Sequence, residues 1–213
     1  LELVAWGLRN PFRIKFDRNN RLFAANHGMD ERGSRPVANS PDEFHMITPG
    51  AWYGWPDYTG GEPVTLPIFK PRNHPQPEFL LQWHPMIPPR PFAIFAPHSA
   101  PMGFDFNYSP DFGAIGDVFI AEFGSNSPMT TGGISLPNVG HRVSRIDMRT
   151  GQITPFAINR TGLAATATGG GGLERPIDVV FGPRGDMYIV DFGIFPPRGN
   201  AANTGVIWRV VRR

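Results

Sequence analysis

A pattern of proline, then phenylalanine five positions later, then a turn and a return strand ending in polar residue, aromatic or histidine, and glycine, recurs three times along the chain. It predicts an all-β fold, a β-propeller of four-stranded antiparallel blades. The copies begin at Pro11, Pro101 and Pro176, and their return strands close on Asn26-His27-Gly28, Glu122-Phe123-Gly124 and Asp191-Phe192-Gly193. A further strand candidate follows each: Glu43 to Ile47, Arg142 to Asp147 and Val206 to Val210. The second observation is compositional. The 25 Gly and 24 Pro are spread between short apolar runs, which means many turns and almost no room for helix.

In chain order, Leu1 to Trp6 (LELVAW) reads as an outer strand, and Arg9-Asn10-Pro11 turns the chain. Proline fixes its own φ and biases Asn10 toward an extended conformation. Phe12 to Phe16 (FRIKF) alternates apolar and basic residues, the period of a half-buried strand. Asp17 to Asn20 has the composition of a hairpin turn, and Arg21 to His27 returns to Gly28. The spacing between copies is uneven because of two segments. Residues 59–101 are Pro-rich and read as an extended insertion between blades. Arg160 to Glu174 is a small-residue linker whose glycines are followed by no Gly-Lys-Ser/Thr, so it is no phosphate loop.

A chain of 213 residues fits one domain, here residues 1–213 as part of a propeller. Three to four blades do not make the ring of a larger propeller, and closure is what removes exposed sheet edges. The expectation is therefore a C-terminal portion whose ring is completed by N-terminal blades preceding Leu1 or by a second copy. No apolar run approaches the ~20 residues of a membrane helix. The net charge of +2, with acids scattered among the arginines, gives no case for nucleic acid; Arg142, Arg145 and Arg149 read as a solvated hairpin edge. Without cysteine there are no disulfides and no thiolate metal sites.

Polar groups concentrate between Gly7 and Pro56. Gly7-Leu8-Arg9-Asn10-Pro11, His27-Gly28, Asp42-Glu43 and Tyr53-Gly54-Trp55-Pro56 stand there in an order and spacing that resemble the glucose/sorbosone dehydrogenase-like family. Its members are soluble aldose dehydrogenases dependent on pyrroloquinoline quinone (PQQ), built as six-bladed propellers. The resemblance implies quinone- and calcium-dependent oxidation of a sugar and a periplasmic or secreted location.

Arg9 offers a planar fork of donors suited to an anion, or alternatively clamps neighbouring carbonyls. The resemblance implies that Arg9 and Asn10 contact PQQ, with Arg175 pairing with one of its carboxylates. It implies that Gly28 and Met29 ligate the cofactor's Ca²⁺ through their carbonyls, and that the Glu43 side chain and Tyr53 carbonyl hold a structural Ca²⁺. Read without the resemblance, Asp42 and Glu43 form either an oxygen-rich pocket or a solvated acidic turn, and His27 and His98 are turn histidines. Two departures stand out. Ile177 occupies the place of the family's second arginine, and no lysine stands between Glu122 and Asn126. The family's general base, a histidine of an earlier blade, is not among these residues, so no catalytic residue is assigned. The alternative is a non-catalytic propeller that binds carbohydrate or a protein partner.

Overall fold

The computed structural model describes residues 1–195 and 202–211. It is all-β, with helix confined to three 3₁₀ turns among the described residues. The first sheet has the order β1 (Pro11–Phe16), β2 (Leu22–Asn26), β3 (Asp42–Met46), then β6 (Ala93–Phe95). Between β3 and β6, β4 (Tyr58–Thr59) and β5 (Glu62–Pro63) form a two-stranded ribbon. The second sheet runs β7 (Pro101–Phe106), β8 (Val118–Glu122), β9 (Arg142–Ile146), β10 (Ile153–Ile158). The third contains β11 (Pro176–Phe181), β12 (Met187–Asp191) and β13 (Val206–Val210). All pairings within these sheets are antiparallel.

The sequence repeat is a repeat of register. Pro11 pairs with Asn26, Pro101 with Glu122 and Pro176 with Asp191, and a bulge follows each proline. A bulge bends the strand and re-aims the side chains at its mouth. The polar residue closing each return strand is buried, and in two copies it caps the residue before the proline. Asn26 Oδ1 accepts the Asn10 N–H at 3.0 Å, and Asp191 Oδ1 accepts the Arg175 N–H at 2.8 Å.

The chain divides into two compact units. One comprises Leu1–His98 with Ser125–Leu136, the other Ser99–Gly124 with Pro137–Arg213. In the second, Phe119, Ala121, Val143, Val179, Met187 and Ile189 form the core between the second and third sheets. In the first, Phe23 stacks on Phe44 within the sheet, while Met29, Val37, Val64 and Phe69 form a separate buried cluster. No helix among the described residues is long and apolar enough to cross a membrane.

Three local expectations change. Leu1 to Trp6 forms no strand; it makes a single parallel bridge, Trp6 to Trp52. The FRIKF alternation has the expected period, but its apolar side, Phe12, Ile14 and Phe16, is the exposed one, because nothing among the described residues covers that face of β1. The Pro-rich segment is more than an excursion, since it supplies β6, the fourth strand of the first sheet. Arg142, Arg145 and Arg149 each pair with an acid, Glu122, Asp117 and Asp147 respectively.

The Pro-rich segment is tied down at Asp57, which is fully buried. Its carboxylate accepts the Leu80 and Leu81 N–H groups at 2.8 and 2.9 Å, His84 Nε2 at 3.0 Å and Arg35 at 3.1 Å. Burial pushes the Asp57 carboxyl up, but the Leu80 amide, His84, the Leu81 amide and Arg35 together outweigh it and hold the group below its ordinary value. A carboxyl lowered by folding stabilises above its unfolded pKa and loses that contribution as pH falls through the folded value. Stability should therefore decline below about pH 4, and less steeply in Asp57→Asn. Asp57→Ala, which leaves Arg35 facing a buried void, should cost about 3–5 kcal/mol. Urea unfolding across pH 3–7 measures both.

Candidate functional site

The first unit gathers the polar segments around β2 and β3. Glu43, near the start of β3 and buried, is the organiser. Its Oε2 accepts Asn26 Nδ2 at 2.7 Å and lies 2.9 Å from His45 Nε2, and its Oε1 accepts the Gly60 N–H at 2.5 Å. Asn26 in turn accepts the Asn10 N–H, and Asn10 Nδ2 lies 3.0 Å from His27 Nδ1. A continuous hydrogen-bonded chain thus runs from Glu43 through Asn26 to the turn that carries Arg9 and Asn10.

The loop after β2 is held by a second set of bonds. The Gly28 N–H donates to Asp42 Oδ1 at 2.7 Å, and the Met29 N–H donates to Ser40 Oγ at 2.6 Å. Gly28 is required by close approach, because a Cβ there would lie 2.2 Å from the Pro41 carbonyl oxygen. Among the described residues no hydrogen bond ends on the carbonyl oxygens of Gly28, Met29 or Tyr53. The Tyr53 hydroxyl donates to the Met46 carbonyl at 2.9 Å, and its ring meets His45 edge-on at 4.8 Å.

Arg9, Gly28, Met29, Glu43 and Tyr53 all line one small cavity, together with Asn26 and Trp55. Its free volume of about 10 Å³ is at the threshold for a single water or bare ion. Among the described residues no group of three or more His, Asp or Glu is placed to hold a metal. Any ion here would therefore rest on carbonyls. By donor chemistry the three unclaimed carbonyl oxygens suit a hard cation, which prefers oxygen ligands. Glu43 suits one less well, because three N–H donors already surround its carboxylate.

Arg9 also faces a wider cleft of about 390 Å³, shared with Met29, Asp30, Arg32, Arg35, Trp55 and Leu80. Its one hydrogen bond among the described residues is a long one to Asp30, 3.4 Å, so most of its donors are available. Asn10 is exposed beside it in sequence. Arg175 belongs to the second unit and is buried. There it donates to the Phe123 and Gly124 carbonyls at 3.1 and 2.8 Å and lies 4.8 Å over the Phe123 ring, the geometry of a clamp. His98 lies under the first unit's surface, 3.9 Å from Asp30. Trp55 belongs to the Tyr53-Gly54-Trp55-Pro56 motif read from the sequence, whereas Arg32 and Arg35 are not singled out there. Their visible signal, arginines flanking Gly33-Ser34 after an acidic pair, is common in solvated turns.

The profile of a family described as Glucose / Sorbosone dehydrogenase matches residues 2–121. With more than half of the 213 residues covered, the chain belongs to that family. Comparison with curated proteins gave no match. Among solved structures, the PQQ-bound aldose sugar dehydrogenase of Streptomyces coelicolor is 21% identical with a TM-score of 0.56, over 97% of this chain and 44% of that one. The soluble aldose sugar dehydrogenase of Escherichia coli in its apo-form is 20% identical with a TM-score of 0.56, over 100% and 47%. A calcium structure of a Trichoderma reesei carbohydrate-active enzyme of family AA12 is 16% identical with a TM-score of 0.54, over 88% and 50%. At these identities the likeness speaks for the fold, that of β-propeller dehydrogenases, and the chain spans about half the length of the structures it matches.

Glu43→Gln should be disruptive despite its near-identical shape, because an amide NH₂ would replace one acceptor among three donors. The expected cost is about 1–3 kcal/mol, read as a lower urea midpoint with an unchanged slope.

Proposed function

We propose that the whole protein oxidises a sugar with PQQ as electron acceptor and calcium as its partner ion, and that this chain supplies one wall of the cofactor site. The observation that carries the reading is Arg9, with its donors largely uncommitted, beside a cavity lined by Gly28, Met29 and Tyr53, whose carbonyls accept no hydrogen bond among the described residues. When bound, the quinone would supply a two-electron acceptor for the hydride of a sugar hydroxyl carbon. Arg9 would hold an anionic oxygen of the cofactor through its planar fork. Asn10 would be oriented by its own N–H bond to Asn26 and its side-chain contact with His27. Gly28, Met29 and Tyr53 would offer carbonyls to Ca²⁺, with Glu43 adding negative charge nearby. N-terminal blades or a second copy would complete the ring, and the family points to a periplasmic or secreted setting.

A second reading has its own support. Arg175 is engaged as a clamp and Ile177 stands beside it, so the second unit offers less to an anionic cofactor than the resemblance implies. That favours a propeller that binds carbohydrate or a protein partner without catalysis.

The readings separate on PQQ titration followed by absorbance and intrinsic fluorescence, with Ca²⁺ or chelator present. The quinone reading expects saturable binding, weakened about ten- to hundredfold in Arg9→Ala and less in Arg9→Lys, which keeps charge but loses the fork. Both variants should melt with wild type. Early melting in either, with unchanged quinone response, would make Arg9 structural. Calcium should raise the melting temperature as a ligand of the native state, by about 2.7 kcal/mol of stability at a hundredfold excess over Kd. Indistinguishable melting curves in calcium and chelator would remove the ion from the reading.

A further inference from the structure

We propose that His45 is the positioning residue of the Arg9-Asn10 turn, acting through Glu43 and Asn26 without touching the site itself. The inference rests on the quinone reading for what the turn would hold, but the positioning is a property of this chain alone. His45 lines neither the small cavity nor the wider cleft, and none of the proposed cofactor contacts involves it.

For packing alone, histidine is a poor choice at this position. The residue is 2% exposed, and its Nδ1 is buried with no hydrogen-bond partner among the described residues. In register it stands opposite Ala24, and the Tyr53 ring meets it edge-on at 4.8 Å. A buried polar atom without a partner destabilises the fold, so an apolar side chain of similar volume suits these surroundings better. What such a side chain lacks is Nε2, which lies 2.9 Å from Glu43 Oε2. A carboxylate only accepts, so Nε2 carries the hydrogen of that contact.

Glu43 and His45 are two positions apart on β3 and therefore share a face of the sheet. The same oxygen, Glu43 Oε2, receives His45 Nε2 and Asn26 Nδ2, the latter at 2.7 Å. The imidazole thus fixes the carboxylate in the orientation that holds Asn26, and Asn26 Oδ1 is left directed at the Asn10 N–H, 3.0 Å away. Without the imidazole the carboxylate has room to turn, and the Asn26 amide with it. The second sheet repeats the arrangement with other residues. There Ser144, opposite Ile120 on β9, donates through Oγ to the buried Glu122. Both copies place a side-chain donor two positions from the pair that closes the return strand, Asn26 with Glu43 and Glu122 with Arg142, and each donor serves that pair's carboxylate.

Amide hydrogen exchange by NMR on the full chain, followed by PQQ titration of the same samples, tests this. His45→Leu keeps a side chain of similar bulk and removes the donor. His45→Gln places an amide NH₂ near the position of Nε2 and restores it. In His45→Leu the Asn10 amide should exchange about tenfold faster, while amides of the β2–β3 ladder hold their wild-type rates. The urea midpoint should stay close to wild type, because the lost bond to Glu43 is offset by removal of the orphaned nitrogen. Quinone affinity should fall about tenfold, or about 1.4 kcal/mol. His45→Gln should bring both readouts back to within about twofold of wild type. Unchanged Asn10 exchange in His45→Leu would overturn the proposal whether or not the quinone binds. Faster exchange throughout the first unit, a lowered midpoint, failure of His45→Leu to fold, or no recovery in His45→Gln would each make His45 a packing residue and overturn it as well. So would faster Asn10 exchange with undiminished quinone affinity. Faster Asn10 exchange in His45→Leu, recovered in His45→Gln, with no quinone binding by the wild type would sink the quinone reading alone.

Discussion

The Asn26 side chain is the contact on which the candidate site depends. It closes a return strand, is buried, and is held from behind by Glu43. Its oxygen takes the N–H of the residue that precedes Pro11. A pre-proline residue is already confined to extended backbone by the proline ring. The additional bond removes the freedom that remains, so Arg9 and Asn10 leave the strand at a defined point. The second unit uses the same device at Asp191, whose carboxylate caps Glu174, Arg175 and Gly193. In one copy the capped turn presents an exposed asparagine and a partly exposed arginine; in the other it leads to an arginine buried against carbonyls.

A repeated frame with divergent occupants suits this architecture. The bulge after each proline and the buried cap are backbone requirements, and they recur in register. The residue before each proline is not constrained by the frame beyond its backbone, and there the copies differ. Function can change at such positions without any change in the sheets.

Asp57 performs a comparable service for the Pro-rich segment. Proline-rich chain lacks N–H donors and cannot hold itself by regular pairing. One fully buried carboxylate collects two backbone amides, a histidine and an arginine, and fixes the segment against the ribbon. The cleft beside Arg9 owes two of its walls to this anchoring, since Leu80 and Arg35 both belong to the Asp57 network. The shape of this cleft thus depends on a carboxylate outside it.

The sequence by itself determined the fold class, the three-copy frame, three strands of each copy and the identity of the polar residue that closes each return strand. These are local quantities, since alternation, proline position and turn composition act within a few residues, where spacing along the chain equals spacing in the strand. It also singled out Arg9, Asn10, Gly28, Met29, Glu43 and Tyr53, though not that five of them border one cavity. Burial and partnership belonged to the tertiary structure. The structure turned the apolar side of β1 outward, gave the first sheet its fourth strand from within a Pro-rich run, and surrounded Glu43 with three donors. It also buried Arg175 as a clamp while leaving Arg9 largely unpartnered. Two arginines at equivalent turns look alike in sequence because a guanidinium's role is set by which carbonyls, carboxylates or solvent lie within about 3 Å of it, and those neighbours come from residues far along the chain.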